Sequence, residues 1–589
     1  MSSVCRGREL RIISGHGRVR MPPTLSLLAN RLATTSGATA RERLGFGVVV
    51  AIQLAALAVM LWYEAEFFGR VIFVLAWGVL NFGTLILLRR PAVAGALSLA
   101  FVVVLILVSQ LKHAVLFQTV NFVDLMIVDA DTFGFLMTVV PGLGRKVLLA
   151  VALSVPLLAL LAWLDPLRMR RRIALAGCVA CLAALVGLSI AVPSDPYDEF
   201  VGGEFFSKFA RSGVTAVSDY LTRGVLDSEA SHAEHLRLPL ESTCAPAVKP
   251  PHIVMVFDES SFDITVAPGI KVPPNYREHF ASFDGKNRAF VVEGAGGPSW
   301  FTEYNVFTGL SVRSYGRFAD FVTRIAAGRV ERALPLTLRR CGYKTFSFYS
   351  FLGAFLSARS FQQTVGIENF YDAKALGAKG VEPDSFFFNA ATRVIAREAA
   401  NAPLFLFVYT LANHFPWDYR FRGDLTPGWR DLGNNQETDE YIRRQMMSAH
   451  DYAAFVAGLK RDFPGERFLI VRFGDHQTGF ARNLIDPALD DSFLARQIAA
   501  QDPRFLTTYY AIDTVNYEPA DMSSALDTLD APYLPLVVLE AAGLPLDPSF
   551  AEQKRIFQRC HGLFYRCNGG AEARRFNRLL IDAGLIKGL

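Results

Sequence analysis

The period of the hydrophobic pattern changes near residue 193. Before it lie five apolar runs, at roughly 46 to 64, 71 to 88, 92 to 111, 146 to 164 and 173 to 192. Each is close to the roughly 20 residues that a helix needs to cross a bilayer, so five membrane-spanning helices are expected. After it, short β-rich runs alternate with helical patterns: Ile253 to Phe257, a helix near 334 to 340, Thr345 to Tyr349, a helix near 386 to 400, Leu404 to Thr410, a helix near 438 to 460, and Phe468 to Phe473. That alternation predicts an α/β domain. The expected division is a tail at 1–44, a five-helix membrane unit at 45–192, a proline-punctuated connector at 193–250, an α/β domain at 251–545 and a C-terminal cap at 546–589.

The placement of arginine orients the spans. Arg6, Arg8, Arg11, Arg18, Arg20, Arg31, Arg41 and Arg43 precede the first run, Arg89 and Arg90 fill the second loop, and Arg168, Arg170, Arg171 and Arg172 fill the fourth. The first loop instead carries Glu64 and Glu66 beside Arg70. The positive-inside rule then puts the tail in the cytoplasm and everything after about residue 193 outside it, in a bacterial periplasm or exterior. The third loop, about 112 to 145, mixes Lys112, His113, Asp124, Asp129 and Asp131 with Leu116, Phe117, Phe122 and Leu125. Such a segment lies along the headgroup layer, either gripping lipid or as a plain surface helix.

A hydrophobic share of 51% is high for a soluble enzyme and fits this division. The net charge of +5 is mild and sits largely in the tail and loops, which argues against a nucleic-acid partner. Of seven cysteines, Cys178 and Cys181 fall in an apolar run and Cys5 in the tail. Outside the cytoplasm, Cys244, Cys341, Cys560 and Cys567 form either two disulfides or four free thiols; if bonded, the short Cys560 to Cys567 loop closes most easily and leaves Cys244 with Cys341.

Ligand sites in open α/β sheets lie beyond the carboxyl ends of the strands. The first strand-like run ends in Asp258-Glu259-Ser260, two acids that either bind a hard cation or solvate a turn. The run from Arg467 to Phe473 ends in Gly474-Asp475-His476-Gln477, where carboxylate and imidazole together suit zinc or manganese. A third end, Asn413-His414-Phe415-Pro416, adds another imidazole. The glycine-rich turn Gly294 to Pro298 leads into a helix beginning near Ser299 and Thr302, where a hydroxyl serves either as a helix cap or as a nucleophile.

In this order, the motifs resemble the sulfatase and alkaline phosphatase superfamily. The membrane-bound branch is most similar: lipoteichoic acid synthases, phosphoglycerol transferases of periplasmic glucans, and phosphoethanolamine transferases of lipid A. The resemblance implies a sulfatase-like extracytoplasmic domain after about five transmembrane helices, in the bacterial inner membrane. It implies one divalent ion, manganese, zinc or magnesium, held by Glu259, Asp475, His476 and the nucleophile. It matches His414 to a substrate-binding histidine and Arg359, in Phe355 to Phe361, to an arginine that contacts substrate phosphate. Counting back nine residues from Thr308-Gly309, as the family pattern requires, gives Ser299, with Thr302 as competitor because the transferase branch uses threonine. Trp300 to Glu303 lack the proline and arginine that formylglycine formation would want, which argues against sulfatase activity. The implied function is transfer of a phosphoglycerol or phosphoethanolamine headgroup from a membrane phospholipid to an envelope glycan or lipid through a covalent phospho-enzyme. A phosphodiester or sulfate ester hydrolase and a catalytically inactive envelope sensor are the alternatives.

Overall fold

The computed structural model describes residues 39–116, 118–128, 130–139, 142–194, 203–228, 244 and 249–588; Arg6 to Arg31, Cys5, Phe117, Asp129, Pro196, Pro239 and Pro246 lie outside them. The membrane unit contains α1 (Ala40–Tyr63), α2 (Phe67–Leu88), α3 (Pro91–Leu116), α4 (Phe122–Ile127), α5 (Ala130–Val139), α6 (Leu143–Leu164) and α7 (Arg171–Ala191). Five of these, α1, α2, α3, α6 and α7, are long and apolar enough to span a membrane. No residue of α6 is buried in protein, so its apolar surface is left for lipid. Small residues let α2 and α7 approach closely: a Cβ on Gly78 would come within 2.5 Å of Cys181 Sγ, and one on Gly177 within 2.8 Å of Phe82. On the arginine-rich side, Asp165 Oδ2 accepts from the Ala92 amide at 2.7 Å and so satisfies a donor at the start of α3.

The third loop is ordered by its own polar residues. Asn121 caps α4 in a reciprocal box with Asp124, whose carboxylate also pairs with Lys112 at 2.9 Å. Asp124 is thereby occupied in holding the loop's shape. Leu125, Met126, Phe133 and Met137 are exposed large apolar side chains on α4 and α5, suited to the headgroup boundary. The connector helix α8 (Phe205–Arg223) buries Phe205, Phe206 and Phe209, with Phe206 edge-on to Phe73 and Phe209 against Phe101 and Phe122.

The α/β domain is built on an eight-stranded sheet in the order β4-β3-β5-β1-β6-β7-β2-β8. Its strands are β1 (His252–Asp258), β2 (Arg288–Val291), β3 (Lys344–Phe348), β4 (Asn369–Tyr371), β5 (Leu404–Tyr409), β6 (Phe468–Gly474), β7 (Thr507–Val515) and β8 (Thr528–Asp530). Every residue of β1, β5 and β6 is buried, because helices cover both faces. One face of β1 sets Ile253, Met255 and Phe257 into a core shared with the C-terminal residues Phe550, Phe564 and Phe576. The other sets Val254 and Val256 against Phe388, Val394 and Phe455. β1 runs parallel to β5 and β6 with Phe257 opposite Tyr409 and Phe473, and Asp258 opposite Gly474, so the loops that follow all three strands leave at one level.

The two units pack against each other at the outer ends of the spans. Val123 of α4 and Ala216 of the connector helix α8 belong to the α/β core, and Arg317 of the α/β domain pairs with Asp219 of α8 at 2.6 Å, while α8 is tied to α4 by the Phe122 amide donating to Ser212 Oγ at 2.9 Å. Phe135 of α5 packs on Phe351 and Phe355, and Phe355 in turn meets Trp300 edge-on at 5.8 Å.

Both disulfides form: Cys244 with Cys341 across 97 residues and Cys560 with Cys567 across 7. Replacing Cys244 and Cys341 together by serine is expected to cost about 2–5 kcal/mol of stability, and the shorter loop less, in denaturant unfolding followed by fluorescence. Peptide mapping without reductant should recover both pairs; free thiols at these four positions would contradict the arrangement.

Candidate active site

The carboxyl ends of β1 and β6 are adjacent, and their next residues converge. At Gly474 a Cβ would lie 1.7 Å from the Ser261 carbonyl oxygen, so the two chains pass where only glycine fits. Ser260, in the left-handed region at φ 52, donates its amide to Asp475 Oδ1 at 2.7 Å and its hydroxyl to Glu259 Oε1 at 2.8 Å. The loop after β1 therefore grips the loop after β6 through its main chain.

Ser299 is the first residue of α9 (Ser299–Thr308), which follows the glycine-rich turn. Its Oγ lies 3.3 Å from Glu259 Oε2 and 3.2 Å from His476 Nε2. His476 Nε2 is 3.6 Å from Glu259 Oε1 and 3.3 Å from Asp475 Oδ2. Glu259, Asp475 and His476 are all buried and offer ligand atoms within 4.8 Å of one another. Burial, then the neighbouring Glu259 carboxylate, push the Asp475 carboxyl well above its ordinary value, and burial holds the His476 imidazole below its own. His476 Nδ1 bonds the Gln477 carbonyl at 2.9 Å. A carbonyl only accepts, so Nδ1 carries the proton and Nε2 turns a lone pair toward the cluster.

These residues fit a divalent ion. Asp475 Oδ2 is a buried oxygen with no hydrogen-bond partner, which is costly without a cation. The spacings of 3.2 to 3.6 Å match the separation of about 3.3–3.6 Å between two ligands of a tetrahedral ion with bonds of about 2.0–2.2 Å. Two carboxylates, one imidazole and a hydroxyl form a mixed oxygen and nitrogen set suited to zinc or manganese.

The remaining sequence candidates are placed differently. Thr302 is fully buried and donates its hydroxyl to the Asp475 carbonyl at 2.6 Å. His414 lies after β5, with Nδ1 bonded to the Phe415 carbonyl at 2.7 Å and its ring stacked on Phe415. Its neighbour Asn413 reaches toward Ser260 and Gln445, which brings this loop to the same sheet edge. The Arg359 guanidinium is held by Asp372 at 2.7 Å and over the Phe370 ring, so its bonding in this structure is to the loop after β4. Tyr409 escaped the sequence reading. Its hydroxyl donates to Glu259 Oε2 at 3.2 Å, and the signal was strand parity, since it shares the face of Phe405 and Phe407, against which α9 packs.

The sulfatase family model matches residues 298–491, which run from the start of α9 past Asp475 and His476. A search of curated protein sequences finds no significant match. Among solved structures, the Streptococcus pyogenes phosphoglycerol transferase GacH in complex with sn-glycerol-1-phosphate is 13% identical, covering 59% of this chain and 89% of its own at a TM-score of 0.44. The integral membrane lipooligosaccharide phosphoethanolamine transferase A of Neisseria meningitidis is 11% identical, covering 80% of this chain and 95% of its own at 0.39. The C-terminal periplasmic domain of Escherichia coli EcEptC, in complex with Zn, is 16% identical, covering 53% and 88% at 0.38.

Replacing Tyr409 by phenylalanine removes a hydrogen bond that orients Glu259. It is expected to weaken divalent-metal binding by about 10–100-fold in calorimetric titration, and an unchanged affinity would remove Tyr409 from the site. The sulfatase family model thus matches the part of this chain that carries Ser299, Asp475 and His476, in a chain whose sheet domain follows five helices long and apolar enough to cross a membrane.

Proposed function

We propose that this protein transfers a phosphoglycerol or phosphoethanolamine headgroup from a membrane phospholipid to an envelope glycan or lipid, with Ser299 as nucleophile. The observation that carries the reading is the Ser299 hydroxyl, 3.2 Å from His476 and 3.3 Å from Glu259, at the start of a helix in a domain packed on the outer ends of five spans. Thr302 has its hydroxyl bonded to a main-chain carbonyl and lies fully buried, which favours Ser299 of the two.

Glu259, Asp475, His476 and the Ser299 oxygen would hold the divalent ion, which when bound lowers the pKa of the hydroxyl and draws charge from a phosphoryl oxygen. Ser299 Oγ, its proton lost to solvent beforehand, forms a bond to phosphorus while the bond from phosphorus to the glycerol oxygen of diacylglycerol breaks. His414 gives the leaving oxygen its proton, and the N-terminal amides of α9 favour the charge that builds on the phosphoryl group. In the second half an acceptor hydroxyl attacks phosphorus, its proton passes to His414, and Ser299 Oγ leaves. Two displacements retain configuration at phosphorus and give ping-pong kinetics. On this reading the enzyme sits in a bacterial inner membrane with its α/β domain facing the periplasm. Phosphatidylglycerol is the first choice of donor, on the Asn413-His414-Phe415-Pro416 strand end.

Release of diacylglycerol from labelled phosphatidylglycerol and phosphatidylethanolamine, by protein in detergent with and without chelator, tests this. Ser299→Ala should lose roughly a thousandfold or more of a chelator-sensitive activity. Thr302→Val should keep most of it and lose about 0.5–1.5 kcal/mol of stability. No release from either lipid by metal-loaded protein would overturn the reading, and free headgroup in place of transfer would favour a hydrolase.

A further inference from the structure

A cavity of about 320 Å³ lies at the seam between the membrane unit and the α/β domain. Lys208 and Arg211 of α8, Arg317 of the α/β domain, Glu66 at the outer end of the first span pair and Glu204 before α8 line it, together with Phe301. Phe301 fixes its relation to the active site. It follows Ser299 by two residues, which is about 200° around a helix of 3.6 residues per turn, so the cavity lies behind α9 while Ser299 faces Glu259 and His476. The cavity and the nucleophile are on opposite sides of one helix.

We infer that this cavity is a second phospholipid site, which holds a headgroup without cleaving it and fastens the α/β domain to the membrane surface. Three observations converge. Glu66 sits between spans that end at Tyr63 and begin at Phe67, which places the cavity at headgroup depth. Its volume is at the lower end of the range of about 300–1,000 Å³ for small-molecule sites, enough for a headgroup but not for acyl chains. Its walls carry both signs: Lys208 and Arg211, with Arg317 beside its partner Asp219, suit a phosphodiester, and Glu66, Glu204 and Asp320 suit the hydroxyl or ammonium end of the same headgroup. Because the walls come from both units, an occupant bridges them.

The test uses the full chain in detergent, stripped of lipid, in the Ser299→Ala background and with chelator present, so that binding in the catalytic pocket drops out. Phosphatidylglycerol, phosphatidylethanolamine and water-soluble glycerol phosphate are added separately, and bound molecules per chain are counted by native mass spectrometry alongside the melting temperature. One phospholipid per chain and a rise in melting temperature are expected, and soluble glycerol phosphate should bind far more weakly. Lys208→Glu with Arg211→Glu should weaken uptake by about tenfold or more. Thr215→Trp, which fills the cavity from α8 and leaves those charges in place, should do the same and serves if the double variant does not fold. Uptake unchanged by Thr215→Trp, absence of uptake, or equal binding of soluble glycerol phosphate would overturn the assignment. None of these outcomes depends on whether the protein transfers headgroups.

Discussion

Parallel pairing of β1 with β6 brings two strands out of the sheet so close together that the Ser261 carbonyl occupies the space of any side chain at Gly474. Glu259 lies two residues before Ser261 and Asp475 one residue after Gly474, so the closure holds the two acids near each other. Ser260 secures the approach with a main-chain bond to Asp475 and a side-chain bond to Glu259. The arrangement buries Asp475 beside the Glu259 carboxylate, at a point where loss of water and then repulsion oppose ionisation of Asp475. A fold that builds such a point needs a compensating charge, and the imidazole and hydroxyl that complete the set are those a divalent ion uses.

The rest of the chain fixes where this point stands relative to the bilayer. Aromatic contacts run from α5 through Phe355 to Trp300, beside the serine. The connector helix α8 packs its phenylalanines on the spans and its Ala216 in the α/β core. Asp124 and Lys112 stiffen the loop between them.

The five spans were legible because each is a long run whose hydrophobicity has one physical cause. β1, β5 and β6 were legible for a related reason: strands buried on both faces read as continuous apolar runs, whereas β3 alternates Phe346 and Phe348 with Thr345 and Ser347. β4 and β8 have three residues each and β2 four, too short to show a period, and β7 mixes Thr507, Thr508, Asp513 and Thr514 into its run. Glu259, Asp475 and His476 stand out because they follow directly on the carboxyl ends of β1 and β6. Spacing alone left Ser299 and Thr302 open, since both lie in the first turn of one helix, and the distinction is one of depth: one hydroxyl faces the ligand cluster, the other a carbonyl in the protein interior. Arg359 was matched by a local run of sequence, which carries no information about its distant partner Asp372.

Trapping the covalent intermediate tests the central claim most directly. The protein is incubated with divalent metal and phosphatidylglycerol, quenched in acid, digested and mapped by mass spectrometry. A headgroup adduct on the peptide that begins α9, localised to Ser299 and absent from Ser299→Ala, is the predicted result. An adduct localised to Thr302, or diacylglycerol release undiminished in Ser299→Ala, would contradict it.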